Sequence, residues 1–101
     1  MRQSLRSTER KPTHPGAILR EDVLPALKIT QTELAVRLRV SRRTISEILH
    51  ERRPVTPDMA IRLSRLLDGT PESWLNMQHA VDVWELEHDN ASEYEHIEHY
   101  A

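Results

Sequence analysis

Between Gln31 and Leu49 the chain reads QTELAVRLRVSRRTISEIL. Two apolar sets at helical spacing lie back to back there: Leu34, Ala35 and Leu38, then Ile45, Ile48 and Leu49. Each set is preceded by a start signal. Thr30 with Glu33 three residues on forms a capping box, and Ser41 stands ready to cap the second helix. Helices this short bury their stripes only by crossing each other closely. Ala35 is small enough to permit the crossing, Ile45 packs against it, and Val40 plugs the turn. The far side of the second helix then carries Arg42, Arg43, Ser46 and Glu47. This is the build of a helix-turn-helix, which lays its second helix in the major groove of duplex DNA.

The charge distribution points the same way. The net charge of −2 divides into +6 over residues 1–53 and −8 over residues 54–101. Such asymmetry suggests a basic face for an anionic partner and an acidic remainder. Trp74, Trp84, Tyr94 and Tyr100, all of the aromatics, fall in the acidic half. Readers of single strands stack bases on aromatics set among basic residues, so duplex DNA is favoured here. With 38% apolar and 30% charged residues, the 101-residue chain suits one small globular domain. The absence of cysteine removes disulfides and thiolate metal sites. No apolar run is long enough for a membrane span, and the polar N-terminus lacks a signal core. The expected location is the cytoplasm.

The rest of the chain reads as helices, giving an all-α fold. Residues 1–13 are polar and basic and are expected to form a flexible arm. A first helix is expected from Pro15 to Leu24, with Ile18, Leu19, Val23 and Leu24 on its apolar face and Pro25 as its stop. The helix-turn-helix follows at about 31–50, and Arg52-Arg53-Pro54 ends it. Thr56 caps a fourth helix with Pro57 at its first position, and Met59, Ala60, Leu63, Leu66 and Leu67 form its stripe. Gly69 is placed as a left-handed stop. Thr70 and Pro71 open a fifth helix to about Glu87, completing a domain over residues 14–87. Residues 88–101 are acidic, histidine-rich and nearly core-free, and are expected to be disordered.

HPGAILREDVLPAL and the following TQTELAVRLRVSRRTISEILHERRPVTPDMAIRLSRLLDGTPESWLNMQ together resemble the HigA family of antitoxins, also known as virulence-associated protein I. The resemblance covers about residues 14–87. It implies a five-helix repressor-like fold that dimerises, represses its own operon at a palindromic operator, and neutralises a small basic mRNA-cleaving toxin of the HigB type. Relatives often carry glycine where this chain has Lys28 and Arg39. If either backbone is left-handed, the side chain costs roughly 1 kcal/mol.

From these residues the expected site has two parts, since phosphate contacts fix position and base contacts give sequence. Arg42 and Arg43 are placed on base edges, with guanine as the natural target, alongside Ser46 and Glu47. Glu47 either accepts from a cytosine amino group or serves as the i,i+4 partner that orients Arg43. Gln31, Thr44, Arg52 and Arg53 are assigned to phosphates. Trp74, Met77, Val81 and Trp84 share a stripe of the fifth helix that is either a dimer or toxin surface or ordinary core. Catalytic residues, metal and cofactor are not expected. His88, His96 and His99 lie in the tail, where rigid ligation is lacking. Two other readings use the same residues: a stand-alone regulator without a toxin, and a helical interaction module that does not bind DNA.

Overall fold

The computed structural model describes residues 10–100, and among these it is all-helical. Helix α1 is a continuous helical run in three parts: α-helical Pro15–Ile18, a π turn over Leu19–Val23, and α-helical Leu24–Leu27. It is followed by α2 (Gln31–Leu38), α3 (Arg42–Leu49), α4 (Pro57–Leu67), α5 (Pro71–Asp89) and a short α6 (Ala91–Glu95). Residues 1–9, most of the expected arm, lie outside the described residues. The tail carries α6, with every described residue from Glu87 to Tyr100 exposed.

Pro25 does not end the first helix. An α-helical register would ask its missing N–H to bond the Glu21 carbonyl and press its ring on that group. The π turn loosens the register just ahead of it. The Leu24 N–H reaches back five residues to the Leu19 carbonyl, and the helix continues past the proline to Leu27.

The helix starts follow the sequence closely. Oγ1 of Thr30, Oγ of Ser41, and Oγ1 of Thr56 and Thr70 each accept from the backbone N–H three residues on, at 3.0–3.2 Å. Glu33 turns its carboxylate to Arg37, 2.9 Å away along α2. The helix ends are less conventional. Lys28, Arg39, Glu51 and Asp68 all have positive φ (59–67°), although none is glycine. At Arg39 the backbone makes a full Schellman turn: its N–H bonds the Val36 carbonyl at 3.1 Å and the Val40 N–H bonds Ala35 at 3.0 Å. Glu51 repeats the pattern on Ile48 and Glu47, and so stops α3 before the Arg52-Arg53-Pro54 run. Lys28 and Arg39, the two departures from glycine, are therefore both left-handed. Gly69 follows Asp68 with φ 98°, so the turn into α5 uses two such residues.

The core gathers Leu19, Leu34, Ala35, Leu38, Ile45, Ile48, Leu49, Val55, Met59, Ala60, Leu63 and Trp74. Ala35 and Ile45 are both buried, as the close crossing of α2 and α3 requires. Each large side chain so buried stabilises the fold by about 1.5–3 kcal/mol. Gly16 sets how closely α1 approaches α3. A Cβ there would lie 1.9 Å from the Ile48 carbonyl oxygen. The N-terminal half of α5 packs on this core and buries Trp74, Gln78 and Val81. Its C-terminal half projects beyond it, which accounts for the elongated 51 × 24 × 22 Å outline.

Two stability measurements check this account. Gly16→Ala should cost at least about 2 kcal/mol in urea unfolding, because backbone rather than a yielding side chain fills the space. Arg39→Gly should instead raise stability by about 0.5 kcal/mol, the relief of left-handed strain less the entropy glycine adds to the unfolded chain.

Candidate nucleic-acid interface

The N-terminus of α2, the outer face of α3 and the loop after it enclose an open concavity of about 930 Å³. Thr30, Gln31 and Thr32 form one wall; Arg42, Arg43, Ser46, Glu47 and Arg52 form the rest. Six of the eight residues assigned to DNA thus meet in one surface. The N–H groups of Gln31 and Thr32 precede the capped one at Glu33, in the position where helix ends favour anions. Arg42 is exposed and forms no ion pair with the described residues.

Glu47 links the two kinds of arginine. It accepts from Arg43 Nε at 2.9 Å and from Arg53 Nη2 and Nε at 2.6 and 2.8 Å. The Arg43 hydrogen bond, then that of Arg53, holds the Glu47 carboxyl below its ordinary range. The i,i+4 pairing of Glu47 with Arg43 is present. Arg43 still keeps 84% of its side chain exposed, so the pairing steadies the guanidinium without withdrawing it from solvent. Arg53 lies beside the concavity through this link. Thr44 lies outside it, with its hydroxyl sharing a 2.8 Å hydrogen bond with Ser41 Oγ.

The stripe on α5 requires a correction. Trp74 and Val81 are 7% and 1% exposed and pack mainly into the protomer's own interior, with Trp74 and Met77 also at the edge of a hollow beside Val23 and Leu27. Met77 packs partly buried against the core. Trp84 is half-buried, stacked on the His88 ring at 4.7 Å with Lys11 Nζ 6.0 Å above it. The stripe begins on the face that meets the bundle, and burial there lasts only as far as the bundle reaches. In the tail, His96 Nδ1 lies 2.7 Å from the Ser92 carbonyl. No cluster of His, Asp and Glu suited to a metal ion occurs among the described residues.

Four residues that position the interface are not evident from the sequence pattern. Arg20, on the π turn, donates to the Leu49 carbonyl at 2.6 Å and to Glu51 at 3.2 Å, and so caps the C-terminus of α3. Arg62 does the same for α2, donating to the Leu38 carbonyl at 2.9 Å while Asp58 holds its Nε. Buried Gln78 accepts from the Val55 N–H at 2.9 Å and donates to Asp82, which pins the loop carrying Arg52 and Arg53. Buried His14 accepts the Gly16 N–H on Nδ1 at 2.9 Å, directly beneath α3. An arginine opposite a helix C-terminus is the one general signal that could have suggested the first two.

Residues 19–75 match the helix-turn-helix family. The chain is 46% identical to virulence-associated protein I of Dichelobacter nodosus over 78% of its own length and 73% of that protein. It is 40% identical to antitoxin HigA-1 of Vibrio cholerae over 80% of its length and 76% of that protein. This chain belongs to the HigA family of helix-turn-helix antitoxins. The solved structure of the Pseudomonas aeruginosa antitoxin HigA with the higBA promoter superposes with a TM-score of 0.85 and 37% identity, covering 90% of this chain and all of that one. Members of the family are antitoxins and transcription regulators rather than enzymes.

The HigA frame makes the seat of α3 sensitive to acid. Burial lowers the His14 pKa, against the pull of Glu51 and Glu85, so the folded chain holds this imidazole neutral. Its contribution is complete above the unfolded value of about 6.5 and is lost as pH falls from there toward the lowered folded value. The melting temperature should therefore drop between pH 7 and pH 5, and His14→Asn, which keeps a capping oxygen, should flatten that drop.

Proposed function

We infer that this HigA-type chain is a sequence-specific duplex-DNA-binding repressor and the antitoxin of a HigBA-type pair. It acts as a homodimer on a palindromic operator upstream of its own gene, in the cytoplasm, and it neutralises a small basic toxin that cleaves mRNA. The observation that carries the DNA reading is the single concavity holding Gln31, Arg42, Arg43, Ser46, Glu47 and Arg52, in a chain 37% identical to an antitoxin solved with its promoter.

The dimensions support it. An eight-residue helix is about 12 Å long and meets a major groove about 12 Å wide. Arg42 and Arg43 open α3, the end that reaches base edges in this motif. Gln31 and Thr32 stand at the end of α2, with Arg52 across from them, as a phosphate clamp would require. Glu47 holds Arg43 extended on one side and Arg53 toward the backbone on the other, which links sequence reading to phosphate binding. One copy buries too little for tight, specific binding, and two copies read half-sites about 34–36 Å apart. No helix among the described residues is long and apolar enough to cross a membrane.

Footprinting of the upstream promoter across salt concentrations tests the reading. A symmetric protected site with a steep salt dependence is expected, and no protection at any salt would refute it. Arg43→Ala should cost about 1–3 kcal/mol on the operator and relax sequence choice. Arg53→Ala should weaken operator and unrelated DNA alike and flatten the salt slope. Glu47→Gln removes the negative charge between the two arginines. It should strengthen unrelated DNA more than operator, by up to about tenfold at low salt, so that discrimination falls.

A further inference from the structure

The loop between α3 and α4 carries Arg52 and Arg53, yet little holds it in place. Of residues 51–56, Val55 alone is buried and the rest are exposed. At one end the Arg52 N–H bonds the Glu47 carbonyl at 2.8 Å and closes the left-handed turn at Glu51. At the other end Thr56 caps α4. Pro54 confines Arg53 to extended backbone, so few torsions stay free between these ends. The setting of the two arginines then depends on Val55. Its N–H is buried, and its acceptor is a side chain of α5, Gln78 Oε1 at 2.9 Å. Gln78 is itself only 4% exposed. An amide can turn either its oxygen or its NH2 toward a neighbour, and only the oxygen suits an N–H. Asp82, one turn along α5, decides which. Its Oδ1 accepts from Gln78 Nε2 at 2.9 Å, which leaves the amide oxygen facing Val55. The reversed amide would set oxygen against carboxylate and NH2 against N–H, and would leave the buried Val55 donor without an acceptor.

We propose that Gln78 and Asp82 are positioning residues for phosphate binding: without touching the duplex, the pair sets the loop that aims Arg52 and Arg53. The inference rests on the DNA part of the reading above and is independent of the toxin. Arg42 and Arg43 open α3 at its other end, and the Arg43–Glu47 pair lies within that helix, so base reading stands apart from the loop. Loss of the pair therefore removes affinity that every sequence shares and leaves the choice between sequences intact.

The test uses the full chain, a duplex of the upstream promoter and a scrambled duplex of equal length, titrated from about 50 to about 200 mM salt. Gln78→Leu keeps the bulk and removes the acceptor. It should weaken both duplexes by one common factor, about tenfold at the lower salt, and make the salt slope shallower by about 1–2. Asp82→Leu should act in the same direction. Gln78→Glu together with Asp82→Asn keeps the net charge, keeps an acceptor for the Val55 N–H and reverses the inner hydrogen bond, so it should restore the parental affinity and slope. In a chain already carrying Arg52→Ala and Arg53→Ala, Gln78→Leu should change nothing further. Active protein is counted by stoichiometric titration, so a variant that merely folds less well lowers the count and not the slope. Hydrogen exchange followed by NMR gives a reading without DNA: the Val55 amide of Gln78→Leu should exchange at least about tenfold faster, relative to that of Leu63. If Gln78→Leu does not fold, Asp82→Leu and the exchanged pair carry the same comparison. A parental slope in the folded variant, a changed ratio between the two duplexes, or a further loss in the chain without Arg52 and Arg53 overturns the proposal while the DNA reading stands. A parent chain that binds neither duplex overturns that reading, and this inference with it.

Discussion

Gly16 brings the backbone of α1 so near the Ile48 carbonyl that no other residue fits between them. That contact fixes the depth at which α3 sits. Arg20 then covers the Leu49 carbonyl one residue further on, and Gln78 holds Val55 in the loop beyond. The last turn of α3 is therefore held by α1 and the loop after it by α5. Its first turn, with Arg42 and Arg43, is left facing solvent. A short helix presents side chains accurately only when its own position is overdetermined, since eight residues are marginal alone.

The polar groups that do this work are few and specific. Arg20 and Arg62 each spend a guanidinium on the carbonyl end of a helix, where the dipole adds to the hydrogen bond. Both also pair with a carboxylate of their own helix, Glu21 and Asp58 respectively. The π turn belongs to the same scheme. It lets α1 carry Pro25 without breaking, and Arg20 sits within it. Glu47 is the matching device on the outer surface. Its carboxylate bridges Arg43 and Arg53 and so keeps two cations in register. Exposed pairs of this kind add little to stability, so what the bridge supplies is geometry.

The helical order through α5, the capping residues, the helix-turn-helix and its arginine pair were all legible in the chain, whereas the short α6 was not. Each depends on neighbours a few residues apart: a hydroxyl three positions before an N–H, an apolar set repeating every three or four. The left-handed ends at Lys28 and Arg39 could be suspected from the resemblance alone. That at Glu51 could not, because glutamate gives no conformational signal of this kind, and Asp68, of a type that tolerates positive φ, is masked by the Gly69 that follows it.

The local code thus determined which segments are helical and which face of α3 carries cations. Tertiary structure decided how far each helix runs and what its outward residues touch. Pro25 reads as a stop until a π turn absorbs it. Trp74 and Trp84 read as one stripe, but the bundle ends between them, so one is core and the other rim. Arg20, Arg62 and Gln78 act on groups 23 to 29 residues away, a separation at which periodicity carries no information. Long-range pairing is set by the way helices pack, and packing depends on total shape and volume rather than on any one segment's pattern.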